Sequence, residues 1–298
     1  MLNPQSDFSS FMKSCRDRVE FALDSSLPQH EDPTQLRAAM RYSLFNGGKR
    51  VRPILAYASA LAVNSKQNPE LVDSIACALE CLHSYSLVHD DLPAMDDDDL
   101  RRGKPTCHKA YNEATAILAG DGLQTLAFNY LANSQFSAET KVELIKCLIW
   151  GAGADGMVLG QAIDLAAVDK QITLEQLETM HRYKTGALIR ASVRMGAIAS
   201  AANQQQLVDL DNYAAAIGLA FQVQDDILDV TADTETLGKQ QGADIAHNKP
   251  TYVSILGLED AKQKAQDLYQ DAIQSLIQFG ESAEPLRLLA AYIVGRSY

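Results

Sequence analysis

Two runs of aspartate, each closing an apolar stretch, constrain this chain more than any other feature. The first is Leu87-Val88-His89-Asp90-Asp91-Leu92-Pro93-Ala94-Met95-Asp96-Asp97-Asp98-Asp99-Leu100-Arg101-Arg102-Gly103, with six carboxylates in ten residues and two arginines close behind. The second is Phe221-Gln222-Val223-Gln224-Asp225-Asp226-Ile227-Leu228-Asp229. A solvated acidic run needs no apolar lead-in, and an EF-hand loop would alternate its acids with spacers and place glycine sixth. Carboxylates in this density suit hard divalent cations, and guanidinium groups beside them suit phosphate. Asp225 and Asp229 share a helix face, and their repulsion argues for a cation between them. Asp90 and Asp96 lie about 240° apart on an ideal helix, so the chain must bend for them to meet. Pro93 supplies a reason for the helix to end there. Either run alone also reads as a solvated acidic helix end. The pair argues for a shared metal site.

The chain has 298 residues, enough for one large domain or two ordinary ones, and 47% hydrophobic residues for a core. Its formal charge of −12 disfavours nucleic acid as a partner. The five cysteines are odd in number and contain no CxxC pair, so neither a disulfide framework nor a zinc site is indicated. Cys77 and Cys81, one turn apart, read as core, and the default is a reduced, cytoplasmic protein. The N-terminus does not read as a secretory signal, and the longest apolar run, near Ile54 to Val63, is too short to span a bilayer.

Helical signals dominate, because alternating valine-rich runs bounded by turn residues are nearly absent. Helices are expected over 7–25, 34–46, 53–63, 69–92, 107–132, 138–150, 173–200, 204–230, 258–279 and 284–294. Residues 151–160 hold four glycines and are expected to let helices approach closely. With no linker or composition shift, one all-α domain over 1–298 is the economical reading.

Three further stretches carry chemistry. Gly47-Gly48-Lys49-Arg50-Val51-Arg52-Pro53 places three cations in four residues, with Pro53 suited to the first helical position. That reads as an anion site at a helix N-terminus; a basic surface turn is the plainer alternative. His83 lies two turns before Asp90, where a lone histidine is more often packed in a core. His181-Arg182-Tyr183-Lys184-Thr185-Gly186 is polar inside an apolar run, and Lys184 and Thr185 are within reach of a phosphate or a developing charge. The loop 231–251 carries Lys239 and Lys249 and suits a lid over a charged ligand, or a plain surface loop.

Together these stretches resemble the trans-isoprenyl diphosphate synthases, in their short-chain bacterial farnesyl diphosphate synthase form. The resemblance runs from about Leu36 to Pro250. It rests on Gly47 to Pro53, on the six-residue spacing from Asp90-Asp91 to Asp96, on Lys184-Thr185-Gly186, and on Phe221-Gln222 with Asp225-Asp226 and Asp229. It implies the all-α isoprenoid synthase fold, helices around a central cavity, with isoprenoid diphosphates as substrates and a homodimeric assembly. It also implies three Mg2+ ions held by Asp90, Asp96 and Asp225, with Asp91, Asp226 and Asp229 in support. Arg101, Lys184, Lys239 and Lys249 would grip the allylic diphosphate. Gly48, Lys49, Arg52, His83 and Arg102 would form the isopentenyl diphosphate site. Thr185 and Gln222 would stabilise an allylic cation, and Tyr85 with Ser86 would set product length, a bulky Tyr85 favouring fifteen carbons.

Three rivals remain. A class I terpene cyclase would normally lack the Gly47 to Pro53 anion site, having no second diphosphate to hold. A silent synthase subunit would be expected to have lost aspartates. A His-Asp phosphohydrolase, raised by His89-Asp90, needs further ligand histidines, and His108, His181 and His247 form no obvious pattern.

Overall fold

The structure, a computed structural model, describes residues 4–27, 33–231 and 250–296. It is all-α. The long elements are α1 (Pro4–Ser26), α2 (Leu36–Leu44), α3 (Val51–Val63), α4 (Pro69–Asp90), α5 (Cys107–Ala110), α6 (Glu113–Ala132), α7 (Ala138–Ala152), α8 (Met157–Ala167), α9 (Leu174–His181), α10 (Ala187–Ala199), α11 (Gln204–Thr231), α12 (Tyr252–Leu256), α13 (Leu258–Ser275) and α14 (Glu284–Gly295). Among the described residues the only strands are β1 (Leu100–Arg101) and β2 (Lys104–Pro105), paired antiparallel. The residues separate into two compact units, Met1–Tyr57 with Asn68–Ile145, and Ala58–Gln67 with Lys146–Tyr298.

In the first unit α4 is the central element. Asn68 starts it by accepting the amide of Glu70 at 3.1 Å, and Pro69 fills a first-turn position whose missing N–H costs nothing. Most of its length is buried, including Val72, Ile75, Leu79 and Leu82. By length and composition α4 alone among the described helices would pass for a membrane span, but 61% of that window is buried inside the protein, as in a core helix. Cys77 and Cys81 lie in this buried face, and all five cysteines are free thiols. The last turn of α4 is pinned to α6 at Gly120, where an added Cβ would stand 2.2 Å from the His89 ring. Ala39, Val88, Cys107, Ala116 and Ala119 form the small apolar cluster beneath that end.

In the second unit α11 is the backbone, with Tyr213 buried and its hydroxyl donating to the Leu286 carbonyl of α14 at 2.7 Å. The glycine-rich stretch behaves as expected and more. Gly151 lies against Ala191, where a Cβ would come within 2.6 Å of the alanine methyl. Beyond the bend at Gly153 and Gly156 the chain forms α8, which the glycine count had hidden.

Several boundaries depart from expectation for local reasons. The 107–132 stretch breaks before Glu113 because Asn112 turns extended and caps α6 through Thr115 N at 2.8 Å. α3 begins two residues before Pro53, which still sits in the first turn. The 173–200 stretch is interrupted by a π-turn over Arg182–Gly186. The β1–β2 hairpin closes on Arg102 and Gly103, both with positive φ (55° and 75°), the signature of a type I′ turn.

Candidate active site

Asp90 is the last residue of α4, and the chain turns sharply after it. The amide of Asp96 donates to the Asp90 carbonyl at 2.9 Å, and the amides of Met95 and Asp97 both return to Leu92. The bend that the six-residue spacing demanded is therefore a backbone turn, and it brings Asp96 back to the helix end. Three of the six acids are engaged by cations of the same region. Asp91 is buried and takes a forked pair from Arg101, with Nε at 2.8 and 2.9 Å from its two oxygens. Burial nonetheless raises the Asp91 carboxyl above its ordinary value, against the pull of Arg101. Asp98 lies 3.5 Å from Arg101, and Asp99 pairs with Lys109 at 2.7 Å. Tyr85, half-buried, meets His89 edge-on at 5.1 Å, and Ser86 donates back to the His83 carbonyl.

Two turns deeper along the same helix, His83 meets a cluster of arginines from neighbouring segments. Arg52, on α3, has a buried Nε with no hydrogen-bond partner, and burial lowers its guanidinium to about 10. His83 is held well below its usual range by burial and by Arg52, Arg102 and Arg101 nearby, so it is neutral at pH 7. Arg102 donates to the Gly47 carbonyl, and a Cβ on Gly48 (φ 127°) would lie 2.7 Å from its Nη1. Glycine at 48 thus makes room for the guanidinium. Arg50, counted in the sequence as one cation of this group, points elsewhere. Its side chain is 1% exposed and bonds Glu80 at 2.5 Å, Glu20 at 3.2 Å and the Leu44 carbonyl at 2.7 Å. Mutually repelling cations with an orphaned N–H offer the donors and charge that an anion would satisfy.

In the second unit Lys184 sits within the π-turn and pairs with buried Asp164 of α8. Thr185 follows it, half-buried. Gly160 allows α8 to reach this turn, because a Cβ there would lie 2.0 Å from the Lys184 nitrogen. Gly218 does the same for α11, at 3.1 Å from the Gly186 Cα. Gly160→Ala is therefore expected to lower stability by about 2–3 kcal/mol, read as a fall in the urea midpoint. An unchanged midpoint would mean that α8 can move aside. His181, before the turn, stacks on Tyr252 at 5.5 Å, and burial lowers its ring to about 4.

The second aspartate run divides by direction. Asp225 has a side chain 43% exposed and pairs with Arg296. Asp226 is buried and accepts the amide of Tyr252 at 2.7 Å, so it anchors the start of α12. Asp229 is buried as well, and Gln222 is half-buried on the same helix. Lys239 and Lys249, with nearly all of the loop read as a lid, lie outside the described residues.

Among the described residues no three His, Cys, Asp or Glu side chains converge as a closed metal cage. Mg2+ binds through one or two carboxylates and completes its octahedron with water and substrate phosphate. Paired aspartates beside guanidinium groups offer that donor set. Sequence reasoning missed Asp164 and Gln161, whose two amide atoms are buried without partners. The signal available was their position one and four residues after Gly160, just beyond the glycine-rich stretch 151–160.

Residues 33–284 match the family described as Polyprenyl synthetase. The chain is 49% identical over 299 residues to the farnesyl diphosphate synthase of Escherichia coli (strain K12), covering 98% of this chain and 99% of that one. An apo FPP/GFPP synthase structure from Zymomonas mobilis superposes with a TM-score of 0.87 at 41% identity, covering 97% and 99% of the two chains. A geranyltransferase from Helicobacter pylori, solved with magnesium and isoprenyl diphosphate, does so with a TM-score of 0.87 at 38% identity, covering 96% and 97%.

Proposed function

We infer the reaction from one premise: the chain belongs to the polyprenyl synthetase family. It has the isoprenoid synthase fold and is a short-chain trans-prenyltransferase, joining isopentenyl diphosphate to an allylic diphosphate. We propose farnesyl diphosphate as the product, made from dimethylallyl and geranyl diphosphate. What supports this reading is the placement of two groups along α4: Asp90 and Asp91 stand at its end, and His83 lies two turns earlier beside Arg52 and Arg102, which suits a second diphosphate. Two diphosphate substrates need both, whereas a cyclase needs only the first.

Asp90, Asp96 and Asp225 would hold the metal, with Asp91 orienting Arg101 and with Asp226 and Asp229 supporting the helix that carries Asp225. Bound Mg2+, three ions by family resemblance, supplies the positive charge against which the allylic C–O bond breaks. Arg101, Lys184, Lys239 and Lys249 take the departing diphosphate, adding charge that is strongest where water is excluded. The Thr185 carbonyl and the Gln222 side chain face the electron-poor carbon. Gly48, Lys49, Arg52, His83 and Arg102 seat isopentenyl diphosphate, whose double bond forms the new C–C bond. The released diphosphate accepts the proton lost from the adjacent carbon, so no protein nucleophile is required.

Tyr85 is braced by His89 and by a hydrogen bond to Gln124, which suits a rigid floor for the growing chain. Tyr85→Ala is expected to shift product from fifteen to twenty carbons or more, read by chromatography of labelled products. An unchanged distribution would remove Tyr85 from that role. Apolar Ile117 and Leu118, exposed on α6, support a homodimer, and the free thiols support a cytoplasmic setting. The deciding experiment incubates the protein with Mg2+, labelled isopentenyl diphosphate and either dimethylallyl or geranyl diphosphate. A fifteen-carbon product abolished by chelator is expected; no condensation with either allylic primer would overturn the reading.

A further inference from the structure

Arg296 makes contacts that the reaction does not call for. It follows α14 in extended backbone (φ −67°, ψ 145°), and its guanidinium donates to the Asp225 carboxylate at 2.5 Å and to the Phe221 carbonyl at 3.0 Å. The same guanidinium lies 4.0 Å from the centroid of the Phe221 ring. From the other side, the Gln224 amide donates to the Arg296 carbonyl at 3.0 Å. Three residues of one turn of α11 thus hold one arginine. Its side chain is 5% exposed, although Asp225 remains 43% exposed. Arginine stacks on aromatic faces and binds carboxylates with its planar fork, and both properties are used here.

Asp225 is also the outward carboxylate of its run, since Asp226 and Asp229 are buried. The group that reaches solvent for a metal is therefore the group that Arg296 neutralises. We propose, resting on the reading of Asp225 as a metal ligand, that Arg296 is a built-in counter-cation of the second aspartate run, which a divalent ion must displace or outcompete. A cation arriving at the Asp225 oxygen meets the guanidinium at contact distance, where like charges repel strongly. The coupling is reciprocal: whatever holds Arg296 in place weakens metal binding, and bound metal loosens Arg296 from α11 by the same factor. Arg296 thereby sets the metal concentration at which the site fills.

The test measures Mn2+ binding by loss of the free-ion paramagnetic resonance signal, with no free diphosphate to chelate the ion, for the full chain and its variants. Arg296→Gln is expected to tighten Mn2+ binding about fivefold, the upper range for a partly exposed ion pair. Arg296→Lys, which keeps a charge without the planar fork, is expected to fall between, and it serves if the glutamine variant does not fold. Unchanged or weaker Mn2+ binding in both, with Asp225→Ala weakened, would make Arg296 a strut for α14 and overturn the inference alone. An Asp225→Ala variant that binds Mn2+ like the parent would remove the metal reading of Asp225 and the inference with it.

Discussion

Asp90→Asn is expected to lower turnover about a thousandfold at saturating substrates, with the melting temperature unchanged. The substitution is isosteric and removes one negative charge from a metal site, where loss of a ligand costs several kcal/mol of transition-state stabilisation. The turn after α4 is held by the Asp90 carbonyl, which accepts the Asp96 amide, and by bonds to Leu92, none of which the substitution touches. The end of α4 is seated by His89 on Gly120 and by Val88 in the apolar cluster. The deficit should ease as Mg2+ is raised, because a weakened site fills at higher concentration. Steady-state rates across a Mg2+ series decide it: a loss smaller than tenfold at every concentration would take Asp90 out of the metal site. Asp91→Asn should behave differently. Asp91 is buried under Arg101, so its neutralisation leaves a partly buried guanidinium without its main counter-charge and lowers stability as well as rate.

That contrast shows what the sequence could and could not supply. Six acids in ten residues announce a cation site, and the six-residue offset demands a bend after α4, which the structure provides as a backbone turn. The sorting of those acids was not legible. It depends on the β1–β2 hairpin, a two-residue I′ turn at Arg102-Gly103 that aims Arg101 back at Asp91. Strands of two residues leave no periodic signal to read. The division of the second run was hidden for a similar reason: Asp226 is a structural acceptor only because Tyr252, twenty-six residues on, presents its amide to it. Helix α8 was obscured by glycines that lower helix propensity, and which are present because Lys184 and Ala191 lie too close for a side chain. Non-local packing decided each of these, whereas the helical extent of α4 and its end before Pro93 were local and readable.

Arg50 is the case in which a sequence cation proves to be scaffold, and it carries the largest expected effect on stability. Its φ of 52° turns it away from Lys49 and Arg52 and into the first unit. There it joins Glu20 of α1, the Leu44 carbonyl at the end of α2, and Glu80 of α4. With Arg50 and Glu80 only 1% and 3% exposed at their side chains, Arg50→Met leaves a buried, uncompensated carboxylate, expected to cost about 3–5 kcal/mol. Glu80→Leu added to Arg50→Met removes the orphaned charge, and the double variant is expected to recover most of the lost stability in a urea titration. Catalysis should not recover with it. The Gly47 to Arg52 segment owes its path to Arg50, and that path places Arg52 beside His83 in the anion site. The double variant is therefore expected to fold like the parent and still show a KM for isopentenyl diphosphate raised about tenfold, with the KM for geranyl diphosphate little changed. Equal changes in both constants would mean that the segment serves the whole cavity, and a double variant as unstable as Arg50→Met would mean that Glu80 is held by groups other than Arg50.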